Sequence, residues 1–482
     1  MSQSPAPQGI DRRTLLQRVG LTALIAGPGA TLLSACATSS TKKKSDVKAN
    51  GSATNPFGVK ANAPLDVVIF MGGYKDGYAT QGHEPLYKKA FPAATVKHEA
   101  ITAIGTTLQP RFNSGTNIPD VVDNSGTVQM DWTALASAGQ LQDLTTLWNA
   151  PSVDDPSKKV RDTVLAGTIE TGMVAGKPYQ MNYVATTFGL WYNKKLFDDN
   201  GWTAPKTWAE FTALCDKIKA KGIVPFAYAG KNAAYYMYYG IVQSANKIGG
   251  NQVGVDIDNL AAGSWSNPAV KTAATNWGAI CKKYSDPAYL GLIHTQVQTL
   301  HKQNKIAFYP SGDWLENEMK DVKGADGFEY AVCAYPDMGG EKLAYPALRV
   351  SAGEPFFASA KGANPAGALE YLRQMLSKAG ARAFFQQAGS MSVVQGALEG
   401  MTLSPGTTSV VAAQKAAASS VITYLNFDGW YKDLDMEARN QTNKLCYGGG
   451  SADSFCTALD KEAAKIKADS SITKQTRPPA SS

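Results

Sequence analysis

Gly189-Leu190-Trp191-Tyr192-Asn193 is an apolar run that passes straight into Lys194-Lys195-Leu196-Phe197, a strand feeding a helix, with Gly201 behind it. Trp202–Phe211 (WTAPKTWAEF) leads into a second helix. From Trp208 to Lys221 apolar residues recur at helical spacing, Thr207 is placed to cap the start, and Gly222 stops the run. Working outward, Leu65–Met71 is a buried strand before Gly72-Gly73, Glu84–Ala90 a helix and Thr95–Ile101 a strand. Leu108–Asn113 begins another helix, and Asp120–Asp123 is a strand before Asn124-Ser125-Gly126. Val224–Tyr228 and Lys305–Tyr309 are further strands, and from Ala366 onward most segments are helical. Strands alternating with helices predict an α/β fold with a mainly parallel sheet.

The chain begins with a different kind of segment. Arg12 and Arg13, then Arg18, precede an apolar run from Val19 to Leu33, which ends in Leu33-Ser34-Ala35-Cys36. A charged start, a short apolar stretch and a small-residue cleavage site make a secretory signal. A cysteine just after the site makes it a lipoprotein signal with lipidation at Cys36, and the paired arginines point to twin-arginine export. Gly27, Pro28 and Gly29 and the short length argue against a membrane-spanning helix. The expected location is the extracytoplasmic face of a membrane, to which the chain is lipid-anchored.

Removing residues 1–35 leaves 447 of 482 residues, enough for two domains, and takes the formal charge from +7 to +5. Lys42-Lys43-Lys44 supply three of those positives beside the anchor, so no basic stripe suggests nucleic acid. Residues 36–63 are polar, without apolar periodicity, and are expected to be a flexible tether. Four scattered histidines and the lack of a Cys-x-x-Cys pair argue against zinc, and no phosphate loop is present, so no cofactor is expected. Five cysteines remain after Cys36. Cys446 and Cys456 flank a glycine turn and are placed to bridge, whereas Cys215, Cys281 and Cys333 lie in apolar segments.

Ligands of open α/β sheets bind beyond strand ends. Here those ends carry Gly72-Gly73-Tyr74, Asn124-Ser125-Gly126, Ser311-Gly312-Asp313-Trp314 and Ser351-Ala352-Gly353-Glu354. Small residues admit a ligand to the backbone and aromatics offer flat apolar faces. With 21 Tyr and 9 Trp, the chain favours a flat-faced ligand over a small anion.

The segment Gly189–Phe211, the Gly312-Asp313-Trp314 turn after a strand and the late Gly429-Trp430-Tyr431 resemble bacterial extracellular solute-binding proteins for carbohydrates, which serve ABC importers. Pro310–Glu318 (PSGDWLENE), Ala352–Phe357 (AGEPFF) and Glu370–Ala381 (EYLRQMLSKAGA) are similar to the actinobacterial N-acetylglucosamine/diacetylchitobiose-binding lipoproteins. The resemblance implies a periplasmic-binding-protein-like fold of two α/β lobes joined by a hinge, with sugar in the interlobe cleft. The lobes are expected at 64–183 with 351–400 and at 184–350 with 401–470, followed by a flexible tail over 471–482. The implied function is not enzymatic. A monomer captures N-acetylglucosamine or chito-oligosaccharides, or alternatively another oligosaccharide such as cello-oligosaccharides. It hands them to permease subunits coupled to an ATPase. A secreted glycosidase is the remote rival.

The resemblance makes Trp314 the first stacking aromatic and Trp430 the second. Asn124 and Ser125 end an N-lobe strand, Asp313 adjoins Trp314, Glu354 follows Gly353, and Arg349 lies just before that loop. Tyr74 and Tyr78 sit in the first loop, and Asn232, Tyr235 and Tyr236 open a tyrosine-dense helix. Tyr183 and Thr186 lie by the first hinge crossing, in a segment lacking the carboxylate that some maltose-type members carry there.

Overall fold

The computed structural model describes residue 47 and residues 51–480, apart from 73, 127, 166, 418, 419, 423 and 424. The signal segment, Cys36 and Lys42-Lys43-Lys44 lie outside the described residues. The described residues belong to one compact unit, Lys44–Ser482.

In chain order the strands are β1 (Leu65–Phe70), β2 (Val96–Ile101), β3 (Val121–Asp123), β4 (Met173–Val174), β5 (Lys177–Pro178) and β6 (Met181–Asn193). They continue with β7 (Val224–Phe226), β8 (Ile306–Ser311), β9 (Tyr330–Cys333), β10 (Leu348–Ala358) and β11 (Val421–Ile422). All but the small β4–β5 ribbon join one sheet of order β2-β1-β3-β10-β6-β8-β7, with β11 beside β10 and β9 beside β6. The outer pairs β1–β2, β1–β3 and β7–β8 are parallel. The centre is not: β10 runs antiparallel to β3 and β6, and β6 antiparallel to β8 and β9. The sheet is therefore mixed rather than mainly parallel, because the chain crosses from one lobe to the other on β6 and returns on β10.

Those two crossings are where the sequence misled. Twelve of the thirteen residues of β6 are buried, so both its faces are covered and no alternation marks it. Only its last five residues stood out as a strand. Ser351–Glu354, expected as a loop, is the interior of β10, where Ser351 pairs with Thr186 and Gly353 with Val184. Its small residues read as a turn, yet they are what two adjacent backbones and a cleft floor leave room for.

The packing falls into several clusters. The largest joins Val67 and Ile69 of β1, Tyr87, Leu369 and Phe384 to Tyr236, Ile306 and Tyr309, while Val68, Val122 and Phe357 share another with Ile104, Leu108 and Phe112. In the C-lobe, Phe211, Ile241, Trp277, Phe308, Phe427 and Leu459 share a second core. The helix Trp208–Ala220 starts as the sequence dictates. The Glu210 amide donates to the Thr207 hydroxyl at 3.3 Å, and the Glu210 carboxylate accepts from the Thr207 amide at 3.1 Å.

Two segments expected to be flexible are packed. Between residues 51 and 63, Phe57 and Val59 are 4% and 5% exposed and join the largest core cluster, and the Asn55 amide brackets the Val59 backbone. Two apolar side chains in a polar stretch are enough to seat it. Tail residues 473–480 lie on the C-lobe, with the Arg477 backbone paired to the Asn259 side chain at 2.7 and 2.9 Å. Cys446 and Cys456 are both free thiols, as are Cys215, Cys281 and Cys333. Cys446 sits beside Cys281 instead, since its helix packs on Pro268–Tyr284. No described helix is long and apolar enough to cross a membrane.

Candidate ligand-binding site

The C-lobe wall begins where β8 ends. A Cβ on Gly312 would fall 2.1 Å from the Trp314 ring, so glycine here lets the indole fold back over the turn. Trp314 is half-buried. It meets Phe188 edge-on at 5.4 Å and Tyr236 at 5.5 Å, and its indole N–H donates to the Tyr236 hydroxyl at 3.0 Å. Phe188 continues the wall to Tyr239 at 5.0 Å. Between these two rings lies the Arg349 guanidinium, 4.3 and 4.1 Å from their centroids. Arg349 is 2% exposed, and its Nε and one terminal nitrogen have no hydrogen-bond partner. Tyr239 donates to Asp428, in the helical turn Phe427–Trp430. An aromatic chain therefore runs from Trp314 to the turn that carries Trp430.

The N-lobe wall is built on carboxyls. Asp123 ends β3, buried, accepting from the Tyr78 hydroxyl at 2.8 Å and the Ser125 hydroxyl at 2.5 Å. Burial pushes its pKa up to about 6. Glu354 lies beside the same pair; burial first, then the neighbouring Asp123 charge, raises it well above the ordinary carboxyl range. Glu354 also has φ +53, a left-handed backbone in mid-strand. Tyr74 packs edge-on to Phe384 at 5.5 Å, with burial and then the Glu354 charge raising its phenol pKa. Asp313 accepts from the Thr187 amide of β6 at 3.1 Å, and burial pushes its pKa up to about 7. Across a small gap it faces Ser390 and Met391 of the N-lobe.

The structure thus groups Trp314, Asp313, Glu354, Ser125, Tyr74, Arg349 and Thr186 around the crossing strands. Trp430 stands further along, lining a cavity of about 780 Å³ with Asn426, Glu170 and Met173. Five other residues have different tasks, contrary to the sequence expectation. Asn124 is spent on Met130, bonding its amide at 2.9 Å and its carbonyl at 3.1 Å, which closes the loop after β3. Tyr183 is core, its hydroxyl donating to the Met375 carbonyl at 2.9 Å beside His83. Asn232 is taken by His294, through contacts of 2.8 and 2.9 Å. Tyr236 is core and reaches the site only through Trp314, while Tyr235 is covered by the Arg439 guanidinium at 4.6 Å. Asp123, Phe188, Tyr239 and Asp428 were missed. Asp123 and Asp428 were visible as acids at a strand end and beside the Gly429-Trp430 pair; Phe188 and Tyr239 carried no local signal. Among the described residues no three of His, Cys, Asp and Glu converge as a metal site.

Residues 72–382 match the family model of bacterial extracellular solute-binding proteins. The chain belongs to this family. Among relatives of this solute-binding protein is the diacetylchitobiose binding protein NgcE of Streptomyces coelicolor (strain ATCC BAA-471 / A3(2) / M145), 34% identical over 475 residues, which cover 96% of this chain and 98% of NgcE. The fold is shared with apo RafE from Streptococcus pneumoniae, at a TM-score of 0.66 and 20% identity over 84% of this chain and 98% of that one. It is shared too with a chitin oligosaccharide binding protein, at 0.65 and 18% identity over 84% and 100%. This solute-binding protein therefore has the two-lobed α/β architecture, with β6 and β10 as its crossings.

Proposed function

We propose that this solute-binding protein is the substrate-binding component of a carbohydrate ABC importer. It captures N-acetylglucosamine or chito-oligosaccharides outside the cell and delivers them to permease subunits by closure of its lobes. The observation that carries this is the pairing of two chemically opposite walls. A sugar ring has apolar C–H faces and a belt of hydroxyls. Trp314 offers the flat surface, Glu354, Asp313 and Ser125 offer acceptors, and the unpaired nitrogens of Arg349 offer donors that a ligand oxygen would satisfy. A buried donor left alone is costly, so such a site gains from an occupant that completes it. The similarity to NgcE over nearly the whole chain supports a chitin-derived sugar over a cello-oligosaccharide.

In this reading the lobes are 64–183 with 351–400 and 184–350 with 401–470, and a sugar touching both walls favours the closed state. The protein works as a monomer without catalysing a reaction, anchored through lipid on Cys36 to the extracytoplasmic face of the membrane after twin-arginine export.

The test is a thermal-shift panel on the protein from residue 45 onward, with N-acetylglucosamine, chito-oligomers, cello-oligomers, maltose and xylobiose. A ligand at a hundredfold excess over Kd stabilises the fold by about 2.7 kcal/mol. A shift with chito-sugars alone supports the proposal. A shift with another sugar overturns the sugar but keeps the role, and no shift with any sugar overturns both. Release of reducing ends from chito-oligomers would point to the glycosidase.

A further inference from the structure

The carboxy-terminal segment was expected to be free, yet it forms one side of the cavity on which Trp430 stands. Thr473–Ala480 lines that cavity together with Glu170, Met173, Asn426 and Trp430. Its placement is fixed by a shared anchor. Asp258 is fully buried. With one oxygen it accepts from the amides of Asn426 and Phe427 at 2.8 and 2.9 Å, the start of the turn that presents Trp430. With the other it pairs with the Arg477 guanidinium. The Gln475 amide donates to the Tyr431 hydroxyl at 2.9 Å, next to Trp430. One buried carboxylate thus holds both the aromatic platform and the tail beside it.

We infer that this segment walls an outer part of the ligand cleft, which takes sugar rings beyond the unit held between Trp314 and Glu354. The inference rests on the carbohydrate reading above. Its chemistry is that of a sugar subsite. The indole of Trp430 and the ring of Pro478 offer apolar faces, while Glu170, Asn426 and Thr476 offer hydrogen-bonding groups. A volume of about 780 Å³ is in the range of small-molecule sites. The aromatic chain Trp314–Phe188–Tyr239, continued by Asp428, joins it to the inner site along the same wall. In this reading the ligand that fills both places is longer than a disaccharide.

The test is calorimetric titration of the whole mature protein with chitobiose and chitotetraose, using wild type, a truncation after Ile472, Arg477→Ala and Pro478→Trp. Pro478→Trp fills the cavity without touching Asp258, so the test survives if the first two variants misfold. The expected result is a loss of tenfold or more in chitotetraose affinity with chitobiose changed less than twofold. Equal losses for both lengths, or no loss for either, overturn the inference while the carbohydrate reading stands. Failure of wild type to bind either sugar overturns that reading, and this inference with it.

Discussion

The indole N–H of Trp314 is held by the hydroxyl of Tyr236 at 3.0 Å. That bond fixes the ring plane before any ligand arrives and consumes the indole's only polar group, so what Trp314 has left to offer is its face. Trp314→Ala is expected to weaken sugar binding by about 1–3 kcal/mol. Tyr236→Phe keeps the face but leaves the indole donor unpaired, costing about 1 kcal/mol of stability and less affinity. Titration calorimetry on folded variants checks both. An unchanged Kd for Trp314→Ala would remove Trp314 from the site.

Glu354 combines a left-handed backbone at φ +53 with a carboxyl buried against Asp123. Both are unfavourable in the free protein, by about 1–3 kcal/mol for the backbone alone. Glu354→Gly relieves both. It is expected to raise the melting temperature of the unliganded protein and to lower sugar affinity, opposite signs from one substitution. A lower melting temperature would mean that the carboxyl serves the fold instead.

Asp313 stays neutral in the folded chain up to about pH 7 because it is buried. An unfolded aspartate ionises near pH ~3.9. Between these values the folded state holds the extra proton, so the stability supplied by the neutral acid falls as pH rises from about 4 through 7. Asp313→Asn has no proton to lose. The variant should gain on wild type across that window and keep a constant difference above pH ~8. Urea denaturation at a series of pH values measures this, and a difference constant from pH 4 upward would show that Asp313 is ionised throughout.

The five described cysteines are buried as free thiols, and burial raises Cys333 to about 12 and Cys456 to about 11. The thiolate is the reactive form, so none should react with a disulfide reagent at pH ~8 in the native protein. All five should react in denaturant when the protein lacks residues 1–36. Three reactive thiols there would reveal a bridge.

The outer elements of each lobe were legible because they carry local patterns. Val67 and Ile69 in β1 and the Thr207 cap of Trp208–Ala220 can be read without knowing what they touch. The crossings were not, since β6 is apolar throughout and Ser351–Glu354 imitates a turn. At the candidate site, the turn carrying Asp313 and Trp314 was legible because a strand ends just before it. Beside Asn124, the neighbouring Asp123 holds the carboxyl that faces Glu354, and adjacent residues at a strand end cannot be told apart without the fold. Asn232 and Tyr183 misled because their partners, His294 and Met375, lie 62 and 192 positions away. The Cys446–Cys281 neighbourhood is of the same kind, set by helix packing rather than by the glycine turn.

The pairing of β10 with β6 keeps one register from Arg349 to Phe356, yet it skips Glu354 opposite Tyr183. A beam bends where it is notched. If the lobes swing about their two shared strands, the deformation gathers at the one missing rung, and there the chain has placed the carboxyl proposed to meet the cargo. The part that feels the load and the part that yields to it are then a single residue, so occupancy and bending cannot be tuned separately by substitution at that position.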